Sequence, residues 1–318
     1  MNGRRRTVRR STGVVSAAAF VTAGLMPGAA DAVPTVNTTA EAACKVSPGA
    51  VTAGGDHRGF TITATKPIAA TEHQRHPDIY PDGLARLSGY MVVDPTVQQG
   101  YGERVYGWVV LGSSMYGSSY FTDGNGKLAP DTVERWLVGG GWGNFVAFET
   151  STWIRPDHTV RTNQYGLRSD GVLFRWSDID LRGWTAKASY PGFSAVKAMA
   201  LISQTATYDT FLATTKGGAL YTVRIPISSP MKPVVKVVRR STWQALDSLV
   251  IERCGPTGTL LLGIDKDTKA GYLYAVGHAK GTATVIQSLG KVPTTLDDPI
   301  YFRRGGEPDD GPVYLFGE

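Results

Sequence analysis

An all-β fold is predicted by three observations: a turn-rich, weakly charged composition, short runs of large apolar residues, and a pattern that returns every 40 to 53 residues. Of 318 residues, 38 are glycine and 18 proline, while charged residues make up 19%. Glycine stands at about 12%, against a usual ~7%, as expected where tight turns join many short strands. Hydrophobic residues at 42% suffice for a core and exclude a disordered chain. No G-x-y period is present, so a collagen-like chain is excluded too.

The N-terminus reads as an export signal. Arg4, Arg5, Arg6, Arg9 and Arg10 form a basic region, and Gly13 to Met26 is an apolar run of 14 residues. Pro27 breaks the run, and Ala30-Asp31-Ala32 is a small-residue cleavage site. We expect residues 1–32 to be a signal peptide and the protein to be secreted, by the general or the twin-arginine route. A membrane anchor is the alternative, but the run is shorter than the ~20 residues a span needs. Removing residues 1–32 takes away five Arg and one Asp and lowers the net charge from +6 to +2. No basic stripe remains to neutralise phosphates, so nucleic acid is not an expected partner. The mature chain has no run that would span a membrane, and we expect a monomer.

Cys44 and Cys254 both lie beyond the cleavage site. An oxidising compartment and an even count predict a Cys44–Cys254 disulfide, with two buried thiols as the alternative. Such a bridge would suit a fold whose ends meet.

Strand signals dominate after residue 57. Phe60-Thr-Ile-Thr-Ala, Tyr106-Gly-Trp-Val-Val-Leu, Phe145-Val-Ala-Phe, Phe211-Leu-Ala-Thr and Leu260-Leu-Leu-Gly-Ile are short apolar runs bounded by Gly, Pro, Asp and Ser. Ala195 to Gln204 fits a short helix or a buried strand. Gly171-Val-Leu-Phe-Arg-Trp, Gly218-Ala-Leu-Tyr-Thr-Val, Gly271-Tyr-Leu-Tyr-Ala-Val and Gly311-Pro-Val-Tyr-Leu-Phe share one pattern, each after a polar turn and an earlier strand. Gly117-Ser-Ser-Tyr-Phe is a fainter copy. A period of about 40–50 residues holding several strands describes a propeller blade. The prediction is a β-propeller of about five blades over 106–318, with a β-sandwich as the alternative. The segment 33–105 would supply a further blade or a closing strand. The C-terminal strand Val313-Tyr-Leu-Phe would lie beside it to close the ring.

A second element alternates with the first: Gly140-Gly-Trp-Gly-Asn-Phe, Arg182-Gly-Trp and Ser241-Thr-Trp-Gln-Ala-Leu. This alternation resembles the tachylectin-2-type β-propeller lectins over roughly residues 106–318. The full Trp-x-Asn-Phe form occurs once, at Trp142 to Phe145. The resemblance implies binding of acetylated amino sugars without catalysis.

Sugar recognition needs flat apolar rings against C–H faces and fixed polar groups for hydroxyls. Trp142, Trp176, Trp184 and Trp243, with Asn144 and Asp170 in nearby turns, are the candidate ligand-binding residues. The same rings could instead pack blade on blade, and the two polar residues could simply form turns. Signals for catalysis are sparse. Gly112-Ser-Ser-Met-Tyr fails the G-x-S-x-G elbow at its last position. His73 and His76 could hold a metal with Asp78, although a solvated polar loop is the favoured reading. Asp123-Gly-Asn-Gly-Lys127 and Asp265-Lys-Asp-Thr-Lys269 both place Lys where a calcium ligand belongs. We therefore expect no catalytic residues, metal or cofactor. The expected partner is a carbohydrate or glycoconjugate. The alternative is a secreted propeller-fold polysaccharide hydrolase or lyase with carboxylates from different blades.

Overall fold

The computed structural model describes residues 43–73, 75–95, 100–155, 157–180, 183–306 and 314–318. The expected signal peptide, and Gly311 to Val313, lie outside the described residues. Strands come first as β1 (Lys45–Val46), β2 (Pro48–Val51), β3 (His57–Thr63) and β4 (Ala69–Glu72). An antiparallel meander follows: β5 (Ala85–Asp94), β6 (Arg104–Leu111), β7 (Ser114–Phe121) and β8 (Glu134–Gly140). Three further four-stranded sheets repeat that order. They are β9 (Phe145–Ile154), β10 (Val160–Arg168), β11 (Leu173–Asp180) and β12 (Gly183–Tyr190); then β13 (Val196–Gln204), β14 (Tyr208–Thr215), β15 (Leu220–Pro226) and β16 (Val234–Arg239); then β17 (Ser248–Cys254), β18 (Gly258–Asp265), β19 (Ala270–Val276) and β20 (Ile286–Thr295). Strand β21 (Ile300–Gly306) ends the series.

The protein is all-β, of propeller type. The leading strands β5, β9, β13 and β17 pack one against the next, and β17 packs against β21. Strand β21 returns to β5 through a parallel ladder, Arg303↔Tyr90 to Gly306↔Val93. On its other side it pairs antiparallel with β2, from Pro48↔Arg303 to Val51↔Ile300, and β2 pairs with β3. N-terminal and C-terminal strands thus share one sheet, which removes the edges that an open arrangement would leave.

The closing strand is not the expected one. Val313 lies outside the described residues, and Phe316 bridges Ser203 on β13. Leu315 is buried in the core there, and the Gly317 N–H donates to the Ile202 carbonyl at 2.8 Å. Strand β21 wins the closing place because its seven residues can make ladders on both sides.

Burial follows position within each sheet. From Ala198 onward β13 is buried throughout, whereas β16, at the other edge of the same sheet, is buried only at Val238. A strand covered on both faces carries a continuous apolar run rather than an alternation. That is why Ala195 to Gln204 could also be read as a helix; it is a strand from Val196.

One hydrogen bond recurs at the four passages between sheets and, at Tyr80, within the nine-stranded sheet that holds β1 to β8 and β21. The backbone N–H of Tyr80, Trp142, Phe193, Trp243 and Leu296 donates to the carbonyl of Gly55, Ser113, Gly171, Gly218 and Lys269 respectively, at 2.9–3.0 Å. Gly171 sits in the left-handed region at φ 87°, where a side chain is strained. Gly218 is its counterpart at φ 86°, and Lys269 holds this place at φ 55°. Gly271, grouped with these glycines by sequence, falls two residues later inside β19. Gly117 lies within β7, where its missing side chain makes room for the Trp136 ring. Cys44 and Cys254 are disulfide-bonded across a separation of 210 residues, tying the N-terminal strands to the end of β17.

Candidate functional site

A cleft of about 290 Å³ opens between the sheets β5–β8 and β9–β12. Its rim on one side is Val138 to Gly141, the end of β8 and its linker. The other side is aromatic: Trp142, Phe145, Phe174, Trp176 and Trp184. Phe174 and Trp176 are two apart on β11, so the period of a strand places both on one face. Leu173 and Arg175 turn the other way; Leu173 enters the main core, and Arg175 donates to the Pro226 carbonyl.

The rings hold one another. Trp142 lies 5.0 Å from Trp176 between ring centroids, and crosses Trp184 at 5.7 Å with an interplanar angle of 88°. Phe148 stacks on Trp184 at 5.9 Å, and Phe174 on Trp176 at 5.6 Å. Offset and edge-to-face pairs of this kind add stability beyond the area they bury, about 0.5–1.5 kcal/mol each. A Cβ on Gly166 of β10 would meet the Phe145 ring at 2.8 Å and the Trp176 ring at 3.0 Å. The bare backbone there lets both rings lie against the strand. Arg86 fixes the linker: its guanidinium donates to the carbonyls of Gly112, Trp142 and Phe145 at 3.0–3.2 Å.

Two cations border the aromatic wall. Lys187 Nζ stands 4.5 Å from the Phe174 centroid and 6.0 Å from that of Trp176. The register Trp176↔Lys187 puts the two side by side across β11 and β12. Arg168 reaches Phe174 at 5.2 Å and is held by Asp170 through bonds of 3.0 and 2.6 Å. Asp170, chiefly through this Arg168 hydrogen bond, is held below the usual carboxylate range.

Three of the residues singled out from sequence therefore converge on the cleft: Trp142, Trp176 and Trp184. Asp170 stands at its rim through Arg168. Asn144 is exposed on the linker and does not line the cleft; its backbone carbonyl accepts from Ser169 at 2.8 Å. Trp243 is elsewhere, buried at the next-but-one linker against Tyr274 at 5.0 Å. Sequence reasoning missed Phe174, Lys187 and Arg86. Phe174 could have been found by stepping two residues back from Trp176; nothing in the sequence marked the other two.

The histidine loop differs from its sequence reading. His76 is 6% exposed, not solvated. Its Nδ1 and the Nδ1 of His57 share the Tyr120 hydroxyl at 2.9 and 3.2 Å, and its Nε2 meets the Gly126 carbonyl at 3.0 Å. His73 turns instead to Thr61 and to Arg304, whose guanidinium donates to its Nδ1 at 3.1 Å. Asp78 is exposed, with its backbone N–H bound to Asp56, so these groups do not converge on a metal. Burial, with His76 and Arg304 adding to it, lowers His57 to about 3. Burial also pushes the Glu149 carboxyl on β9 up to about 8. Asp209, fully buried, accepts from Arg161, Ser151, Asn163 and Tyr165 at 2.7–3.2 Å.

No protein-family model matches the sequence, and no curated protein matches it. Among solved structures, the chain is similar to the BP39L lectin from Burkholderia pseudomallei, with 12% identity and a TM-score of 0.38 over 79% of this chain and 70% of that one. It is also similar to a mutant Aleuria aurantia lectin in complex with Fucalpha1-6GlcNAc, with 12% identity and a TM-score of 0.40 over 79% of this chain and 80% of that one. Likeness at this level carries no correspondence between residues, so the cleft is read from its own geometry.

Proposed function

We propose that the protein is a secreted, lectin-like carbohydrate-binding protein without catalysis, built as a five-bladed propeller whose cleft between β5–β8 and β9–β12 receives the sugar. The observation that carries the reading is a cleft open to solvent bordered by the partly exposed rings of Trp176 and Trp184, with Trp142 buried beside them. A pyranose presents a face of C–H bonds, and flat indole walls with a few polar groups at the edge suit it. About 290 Å³ accommodates one or two sugar rings. Among the described side chains the lining holds no carboxylate, and Asp170 at the rim is engaged by Arg168. Glycoside hydrolysis needs two suitably spaced carboxyl groups, which favours binding over cleavage here. The five-blade reading draws on the hydrogen bond made at four passages and again at Tyr80, and on the circuit of leading strands closed by β21. A tachylectin-2-type relationship, and cleavage after Ala32, belong to the same proposal.

A glycan-array screen of the mature chain tests the reading. The folded protein should retain a defined set of glycans, and Trp176→Ala should lose them while keeping its melting temperature within a few degrees. A folded chain that retains no glycan would refute it. Release of reducing ends from a polysaccharide would instead favour the alternative, a polysaccharide hydrolase or lyase.

A further inference from the structure

The two cations at the cleft differ in one respect. Arg168 is neutralised by a bidentate pair with Asp170. For Lys187, no carboxylate among the described residues stands within ion-pair distance, and its contacts are the rings of Phe174 and Trp176. Lys187 is exposed on β12. An ammonium over an aromatic face is attracted by the ring's electron-rich face. That contact leaves the donors on its far side free for a ligand.

We propose that the cleft selects a sugar bearing a carboxylate, such as a uronic acid, with Lys187 as the residue that sets the preference. The inference rests on the reading of the cleft as a sugar site. The ring would lie against Trp176 and its carboxylate would reach the Lys187 ammonium, its neighbour across the strands. A neutral sugar satisfies the aromatic wall but leaves the ammonium hydrated. An acidic one uses both, through a charge-assisted hydrogen bond. Arg168 would contribute little, because Asp170 already occupies its fork. The preference would be electrostatic and therefore sensitive to salt.

Titration calorimetry on the mature protein tests this with oligogalacturonate, its carboxyl-reduced neutral counterpart, and a sulfated neutral galactan fragment. Oligogalacturonate should bind about tenfold tighter than the neutral compound at low salt, a ratio worth about 1.4 kcal/mol. The margin should shrink at 0.5 M salt. Lys187→Gln should erase the margin, and Lys187→Arg should restore most of it. Equal binding of the acidic and neutral compounds, or a margin that survives in Lys187→Gln, would overturn the proposal while leaving the sugar site intact. Tighter binding of the sulfated compound than of the uronate would overturn the choice of carboxylate. A folded protein that binds no saccharide at all would sink the sugar site itself.

Discussion

The sheet β9–β12 has two faces made from one stretch of chain, and they do opposite things. Toward β13–β16 it presents Leu167 and Leu173, which meet Phe193, Val196, Phe211 and Val223 so closely that about 10 Å³ remains between them. Toward β5–β8 it presents Phe145, Phe174, Trp176 and Trp184, and about 290 Å³ stays open. The linkers are built alike: Trp142 and Phe193 make the same backbone bond at 2.9 Å. At the second junction the rings also close a core with Val110 and Met115, and the open space lies beside it. The repeat provides the frame, and the side chains at each junction decide how much of it stays open.

The comparison can be broken most severely from outside both faces. Acid should unfold the protein through the histidine cluster that joins the N-terminal strands to β7. An unfolded histidine takes its proton near 6.5, but His57 does so only at about 3. Between those values protons favour the unfolded chain, so stability is complete above pH 6.5 and falls as pH drops toward 3. The gap corresponds to about 5 kcal/mol. Glu149 has the opposite sign. Its folded value of about 8 stands above the 4.5 of the free side chain, so its contribution is complete below pH 4.5 and is lost as pH rises through 8. Denaturant melts from pH 3 to 9 should show a maximum between these limbs, with the alkaline limb flattened in Glu149→Gln. A profile that is flat across the acid range would contradict the burial of His57.

Reduction of the Cys44–Cys254 bridge, which closes a loop of 210 residues, should cost about 5 kcal/mol by the chain-entropy model. The bridge lies away from both faces, so the melting temperature should fall while glycan affinity at 20 °C stays unchanged. Within the sheet, Leu173→Ala should cost about 2–5 kcal/mol, because the buried space cannot collapse. Trp176→Ala should cost less than the about 3–5 kcal/mol of a fully buried tryptophan, since its ring is only partly buried. Binding should reverse that order: Trp176→Ala abolishes it, and Leu173→Ala retains it wherever the protein is folded. The smallest effect is expected at Asn144→Ala, with stability and affinity both unchanged, because its side chain does not line the cleft.

Much of this was legible in the chain itself. The Gly171 and Gly218 turns identify equivalent hairpins, because glycine takes the positive φ of that position without strain. Gly271 misleads, because Lys269 takes the turn position and the glycine moves into the strand. Trp142 and Trp243 were equally visible as unusual residues and are equally buried, yet only Trp142 borders the cleft, beside Trp176 and Trp184. Nothing local separates a tryptophan that walls a cleft from one that seals a core.

By itself, then, the sequence determined the strand count class, the turn positions and the pairing of its two cysteines, because these depend on backbone preferences and on composition. Which strand closes the ring was decided only in three dimensions, because β21 can satisfy ladders toward both β2 and β5 while the residues around Phe316 find a partner on β13. The cleft was decided there as well. Its walls come from β8, a linker, and β9 through β12, and Lys187 gains meaning only from standing beside Trp176 across the sheet. Cross-strand neighbours and the volume left between two packed faces are properties of register and shape, and neither is written in the spacing of residues along one strand.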